Sequence, residues 1–154
     1  MNKDVVEFLK ESNAIEGVTD TDSLIQAKRA WKYLMKQDTM HSGIVLKTHK
    51  ILMLNQDLLQ FQKGNFRVVP VWVGGREGMD FSYIPEAVQV WCYNAWDDPK
   101  FWKRHHIRFE TIHPFIDGNG RTGRLLMNWQ RVKAGLPVLV IKEKEKQEYY
   151  KWFK

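Results

Sequence analysis

The sequence predicts a mainly α protein of one domain, a helical bundle with a single small β-hairpin. Three observations lead there. Apolar residues recur at three- and four-residue spacing along most of the 154 residues. Only one stretch, 64–84, changes to β-branched residues punctuated by Pro70 and the pair Gly74 and Gly75. The length suits one compact core and is short for two.

Each element follows from its own signals. Asn2 is a candidate cap for a first helix in which Val5, Phe8, Leu9 and Ile15 share a side and Gly17 supplies the stop. Thr19 to Asp22 offer caps for a second helix, whose apolar stripe is Leu24, Ala27, Trp31, Leu34 and Met35. A third helix is expected over Ser42 to Asn55, with Ile44, Leu46, Leu52 and Met53 apolar and a central place in the fold. The 64–84 segment reads as a hairpin or flap, Pro70 confining its strand to an edge because it has no N–H to give. Pro85 fits the first turn of a fourth helix, and Asp97, Asp98 and Pro99 close it and open a fifth. A sixth helix after the glycine-rich stretch turns Leu125, Leu126 and Trp129 inward and stops at Gly135. Residues 136–141, "LPVLVI", read as extended, and "KEKEKQEYYKWF" as a short terminal helix.

Composition narrows the function classes. Seven Trp, eight Phe and five Tyr, with 44% hydrophobic residues overall, supply bulky apolar surface that argues against a disordered chain, and 27% charged residues are expected to keep the outside soluble. The one cysteine, Cys92, excludes an intrachain disulfide and fits a reducing compartment. The N-terminus carries charges through its apolar part, with no signal-peptide or spanning run, so a cytoplasmic location without membrane attachment is expected. A net charge of +6 and a pI near 9.4 raise nucleic-acid binding. The basic residues are nevertheless spread along the chain, without zinc-finger spacing or a recognition helix, and a solvated basic surface is the better reading.

The chemistry concentrates in residues 113–124, "HPFIDGNGRTGR". Within it "GNGRTG" meets the spacing of a dinucleotide-binding loop, and Glu143 follows in the right neighbourhood. That fold requires a buried strand running into the first glycine, whereas "TIHPFID" has an internal proline and a charged end. The physics of such loops still applies. Gly118, Asn119 and Gly120 just before a helix let backbone amides converge on an anion at the positive helix end. Asp117 at the edge suits Mg²⁺, which takes one or two carboxylates together with phosphate oxygens. Arg121 and Arg124 can clamp further phosphate oxygens, and His113 can take a proton from an attacking hydroxyl. Separately, each residue has an ordinary explanation as a turn, a loop or a solvated helix start. Together in twelve residues they describe nucleotidyl transfer.

"HPFIDGNGRTGR" resembles the signature H-P-F-x-[DE]-G-N-G-R-x-x-R of the Fic (filamentation induced by cAMP) family at every specified position. The likeness extends to "HHIRFETI", to "NFRVVPVWVGG", which is similar to the family's target-docking flap, and to "YY" near the C-terminus. The resemblance implies a Fic fold over residues 1–154 and a protein adenylyltransferase that moves AMP from ATP to a hydroxyl of a target protein, releasing diphosphate. His113 would be the base and Asp117 the Mg²⁺ ligand. Gly118 to Gly120 would form the anion hole, with Asn119, Arg121 and Arg124 as phosphate contacts. Arg67, Val68, Val69 and Val71 of the flap would hold the target by main-chain pairing. The related Doc branch, which phosphorylates its target, carries a lysine where Gly120 stands and lacks the last arginine.

"SNAIEG", Ser12 to Gly17, resembles the family's inhibitory motif [ST]-x-x-x-E-[GN]. It implies that residues 1–17 form an inhibitory helix of the class II kind, with Glu16 paired to Arg124. Two rival readings stay open, an enzyme that removes AMP and a non-catalytic nucleotide-sensing or nucleic-acid-binding regulator. The resemblance names no target, and it implies a homodimer as a candidate assembly. Because the chain stops soon after Tyr150, the terminal helix that walls the nucleotide pocket in relatives is expected to be curtailed.

Overall fold

The computed structural model describes residues 1–154 as seven α-helices with one minimal hairpin. Helix α1 (Lys3–Ile15) begins where Asn2 Oδ1 accepts from the Val5 amide at 2.9 Å. It ends where Gly17, at φ 72°, lets the Gly17 and Val18 amides return to the carbonyls of Ala14 and Asn13. Helix α2 (Thr21–Met35) is capped by Asp20, which accepts from both the amide and the hydroxyl of Ser23. Helix α3 (Ser42–Leu52) stops three residues earlier than its sequence suggests, since Met53 already leaves helical geometry. It packs against α2 and leaves Lys47 and Lys50 exposed.

Helices α4 (Ile84–Asp97) and α5 (Trp102–Ile112) follow, Pro85 sitting in the first turn of α4 as its missing N–H allows. The most enclosed element is α6 (Asn119–Lys133), every residue of which from Arg121 to Gln130 is buried. One core joins Phe8 and Leu9, Ala30 and Leu34, Ile44 and Leu52, Val88 and Ala95, Phe109 and Ile112, and Leu126 and Trp129. Burying such side chains contributes roughly 1.5–3 kcal/mol each, which fixes α6 as the pillar on which the loop before it is built.

The flap is narrower than the 64–84 span suggests. Strands β1 (Trp72–Val73) and β2 (Arg76–Glu77) pair antiparallel around Gly74 and Gly75, both at positive φ as a tight hairpin turn requires. Pro70 lies ahead of the ladder, which gains only one more bond, from the Gly78 amide to the Val71 carbonyl at 2.8 Å. Residues 136–141 form no strand. Their backbone partner is a side chain: Asn128 accepts from the Leu139 amide at 2.7 Å and donates to its carbonyl at 3.1 Å. The chain ends in the five-residue helix α7 (Lys146–Tyr150), whose Tyr149 joins Ile15, Met127 and Ile141 in a second small cluster. No helix is long and apolar enough to cross a membrane.

Candidate active site

The loop between α5 and α6 is shaped by its own residues. His113 closes α5 at φ 50°, the one non-glycine residue with a left-handed backbone, and its amide donates to the Phe109 carbonyl at 3.0 Å. The turn aims its half-buried ring at the start of α6. Its Nδ1 faces the Glu110 carbonyl at 3.3 Å. A proton placed on Nδ1 satisfies that carbonyl and leaves Nε2 with a lone pair toward the cleft. Burial lowers the His113 pKa, the Glu110 carbonyl opposing, so the neutral base persists below the ordinary histidine range.

Asn119 shapes the loop. Its carboxamide is buried and turned back on the loop, Oδ1 accepting from the Phe115 amide at 2.9 Å and Nδ2 donating to the Phe115 carbonyl at 2.8 Å. The side chain therefore locks the loop, while its main-chain amide remains in the cradle. The first bond of α6 runs from Thr122 N to Gly118 O at 3.0 Å. The amides of Asn119, Gly120 and Arg121 precede it and have no partner within the helix. Gly118, at φ 85°, lies so close to Met53 that a Cβ would meet its Sδ at 2.7 Å, and a Cβ on Gly120 would meet Glu16 Oε1 at 2.5 Å. The left-handed backbone calls for glycine at 118, whereas at 120 the near neighbour is the movable end of the Glu16 side chain.

His49 braces the loop from behind. Its Nε2 donates to the Asp117 carbonyl at 2.8 Å while Nδ1 accepts from the Gly64 amide at 2.9 Å, and its ring stacks on Phe115 at 3.7 Å. Both ring nitrogens are thereby committed to the neutral form, and burial holds its pKa down to about 4. One side chain of α3 thus ties the root of the flap to the loop. A lone histidine in "KTHKIL" carries no sequence signal for this, because its importance comes from Gly64 and Asp117, distant in sequence. His106 and Tyr149 are likewise visible in sequence only as parts of "HHIRFETI" and "YY".

The two arginines differ. Arg121 is 4% exposed, yet its Nε and Nη1 have no partner and Nη2 reaches only Met53 Sδ at 3.5 Å. A guanidinium withdrawn from water without an acceptor is costly, and here it is left ready for an anion. Arg124, 2% exposed, is fully engaged: Nε donates to Ser12 Oγ at 2.8 Å, and Nη2 to the Ser12 carbonyl at 3.0 Å and to Glu16 Oε1 at 2.8 Å. Gly17 places Glu16 at the end of α1, facing Gly120. The structure thus brings Glu16 onto Arg124, and Ser12 and Gly120 beside them.

Asp117 is exposed at the cradle's mouth, one carboxylate oxygen accepting from the Gly118 amide at 2.8 Å. No group of three His, Cys, Asp or Glu residues exists to cage an ion. In the flap, Arg67 donates its own amide N–H to the Pro114 carbonyl at 2.9 Å. It is buried, its guanidinium holding the carbonyls of His113 at 2.7 Å, Val69 at 2.9 Å and Met79 at 2.6 Å. Arg67 is a strut of the flap, while Val68 and Val69 are exposed and Val71 half-buried.

The Fic/DOC family model matches residues 44–130, more than half of the chain and the whole of this loop. The chain belongs to the Fic/DOC family. This Fic domain is 30% identical over 159 residues to a protein adenylyltransferase Fic of Drosophila grimshawi, covering 95% of the chain and 32% of that protein. It is 28% identical to one of Aedes aegypti, covering 93% and 31%. The chain thus spans about a third of the length of these curated relatives. Among solved structures, Fic-1 of C. elegans superposes with a TM-score of 0.84 at 21% identity, over 98% of the Fic domain and 55% of that chain. A Fic domain containing signaling protein of Bacteroides thetaiotaomicron gives 0.80 at 18% identity, over 97% and 70%. The shared fold is mainly helical, with the small hairpin beside the loop.

Proposed function

We propose that this Fic domain transfers AMP from ATP to a hydroxyl side chain of a target protein and is restrained by its own first helix. The observation that carries the reading is the unpaired, buried guanidinium of Arg121 beside three open helix-end amides and the Nε2 lone pair of His113. That arrangement suits a polyphosphate and an incoming hydroxyl at once. The relatives named protein adenylyltransferase Fic support it, as does Gly120, where the phosphorylating branch of the resemblance carries lysine.

In the reaction, the cradle amides and Arg121 hold phosphate oxygens, and Arg124, once free, takes the terminal phosphate. His113 Nε2 accepts the proton of the target hydroxyl as its oxygen bonds to the α-phosphorus. The bond from that phosphorus to the bridging oxygen breaks, and diphosphate leaves. Asp117 would hold Mg²⁺: a single exposed carboxylate beside a phosphate cradle fits an ion that keeps most of its other ligands as water and phosphate oxygens. Bound there, the ion would offset phosphate charge.

The target is read as an extended segment laid along Val68, Val69 and Val71. The Val68 amide and carbonyl and the Val69 amide have no backbone partner within the chain, so they are free for strand addition. Glu16 occupies Arg124 and thereby displaces the terminal phosphate from its clamp. We place the domain in a reducing, cytoplasmic setting, consistent with Cys92, whose thiol burial pushes up to about 12.

The reading is tested by incubating the protein with ATP, Mg²⁺ and a lysate and searching tryptic peptides for an added AMP. A protein-linked AMP that disappears with His113→Ala, while ATP binding stays within a few-fold, supports it. Retained nucleotide with no modified peptide, on the target or on the domain itself, in both the wild type and Glu16→Gly contradicts it.

A further inference from the structure

Arg124 is held from two sides. Ser12 and Glu16 of α1 take its Nε and Nη2, and its remaining nitrogen, Nη1, donates to the hydroxyl of Tyr149 in α7 at 3.3 Å. We propose that Tyr149, oriented by His106, is a positioning residue that keeps Arg124 aimed at the terminal phosphate of ATP once α1 lets go. This rests on the reading of Arg124 as the terminal-phosphate clamp.

Arginine only donates, so the Tyr149 oxygen accepts from Nη1 at 3.3 Å. Its own hydrogen is then available to His106 Nε2, 2.7 Å away, in the tautomer that carries the ring proton on Nδ1. His106 is buried, and burial brings its pKa down to about 3, so it remains the neutral acceptor this chain requires. Burial also raises the Tyr149 pKa, keeping the hydroxyl protonated.

The ring is placed by packing as firmly as the hydroxyl is by His106. Trp152 and Phe153 lie edge-on to Tyr149 at 5.1 and 5.2 Å between centroids, and Arg124 Cζ sits 5.5 Å from the ring centre. The two sides of Arg124 have different lifetimes. The α1 contacts belong to the restrained state and are lost on activation, whereas Tyr149 and His106 share the α5–α6–α7 side of the site and remain. After release, the hydroxyl is the one side-chain bond left to orient the guanidinium. The short C-terminal helix therefore has a role beyond walling the pocket.

Tyr149→Phe removes this bond and keeps the ring. The test measures ATP and ADP binding, with Mg²⁺, by calorimetry in a protein carrying Glu16→Gly and Ser12→Ala, which remove the α1 side-chain bonds to Arg124, and His113→Ala to prevent turnover. Adding Tyr149→Phe should weaken ATP about tenfold, the usual scale of one charge-assisted hydrogen bond, and leave ADP within about twofold because it lacks the clamped phosphate. His106→Gln, whose side-chain oxygen can still accept from the hydroxyl, should keep more of the ATP preference than His106→Leu. Equal losses for ATP and ADP would make Tyr149 merely structural, and no loss for either would make its hydroxyl idle; both overturn the proposal. Arg124→Ala in the same background separates the two claims. If Arg124→Ala weakens ATP selectively and Tyr149→Phe does not, this inference alone fails. If Arg124→Ala leaves the ATP preference intact, the terminal-phosphate reading fails and takes the inference with it.

Discussion

His49 and Asp117, separated by 68 positions in sequence, are joined by a hydrogen bond of 2.8 Å that fastens the signature loop to α3. His49→Ala would leave the Asp117 carbonyl and the Gly64 amide unpaired and remove the stack on Phe115. We expect a loss of about 3 kcal/mol in urea unfolding, two unmet polar groups plus a small cavity. Transfer in the Glu16→Gly background should fall as well, because the loop loses its brace. Unchanged stability would show that the loop holds its shape without α3.

Asn119→Asp is nearly isosteric but replaces the Nδ2 donor with an oxygen facing the Phe115 carbonyl. A destabilisation of about 2 kcal/mol is expected, read from the thermal or urea midpoint. A variant as stable as wild type, with weaker phosphate binding, would restore the side chain to the role of ligand.

Glu110 is half-buried, with its Oε1 enclosed against Gly123 and without a partner. Burial raises its pKa to about 7, Arg124 opposing and Glu16 reinforcing. A folded-state pKa above the unfolded value means that the fold keeps a proton the unfolded chain gives up. Its contribution is fully present below pH 4.5 and is lost as pH rises to about 7. Glu110→Gln cannot ionise, so it should be more stable than wild type at pH 8, on the order of 2 kcal/mol, with the gap closing by pH 5. A pH-independent gap between the two proteins would mean that Glu110 does not titrate in this window.

The lowered pKa of His113 bears on activity in a separate way. In the Glu16→Gly background the acid limb of the transfer rate should fall below pH 6.5, since the base stays neutral longer than an ordinary histidine. Single-turnover rates from pH 5 to 8 measure it. A limb centred above 7 would point to a different base.

The helices were legible because their signals are local. Asn2, Asp20, Pro85 and Gly135 act on the residues beside them, and the signature compresses a whole loop into twelve positions. The small hairpin was legible from its β-branched residues and the pair Gly74 and Gly75, while the brevity of its ladder, two residues a side, was not. The stretch "LPVLVI" read as extended, but that its backbone partner is the side chain of Asn128 was not visible in the sequence. In the site, motif spacing singled out His113, Asp117, Arg121, Arg124 and Glu16, but not the structural bonds of two further side chains. Asn119 and Arg67 spend their hydrogen bonds on carbonyls and amides that come near only after folding. His49, His106 and Tyr149 act through contacts that no local pattern encodes.

The central claim is that Glu16 restrains the enzyme through its 2.8 Å pair with Arg124. Glu16→Gly deletes the carboxylate at a helix end, where glycine costs at most about 1 kcal/mol, so the fold should survive. The most direct measurement is the rate of AMP incorporation into protein from labelled ATP, compared for wild type, Glu16→Gly and Glu16→Gly with Arg124→Ala. The account predicts a rise of at least about tenfold for the single change, equivalent to about 1.4 kcal/mol of barrier, and loss of that gain in the double. A folded, ATP-binding Glu16→Gly protein that transfers AMP no faster than wild type, to its target or to itself, would contradict it.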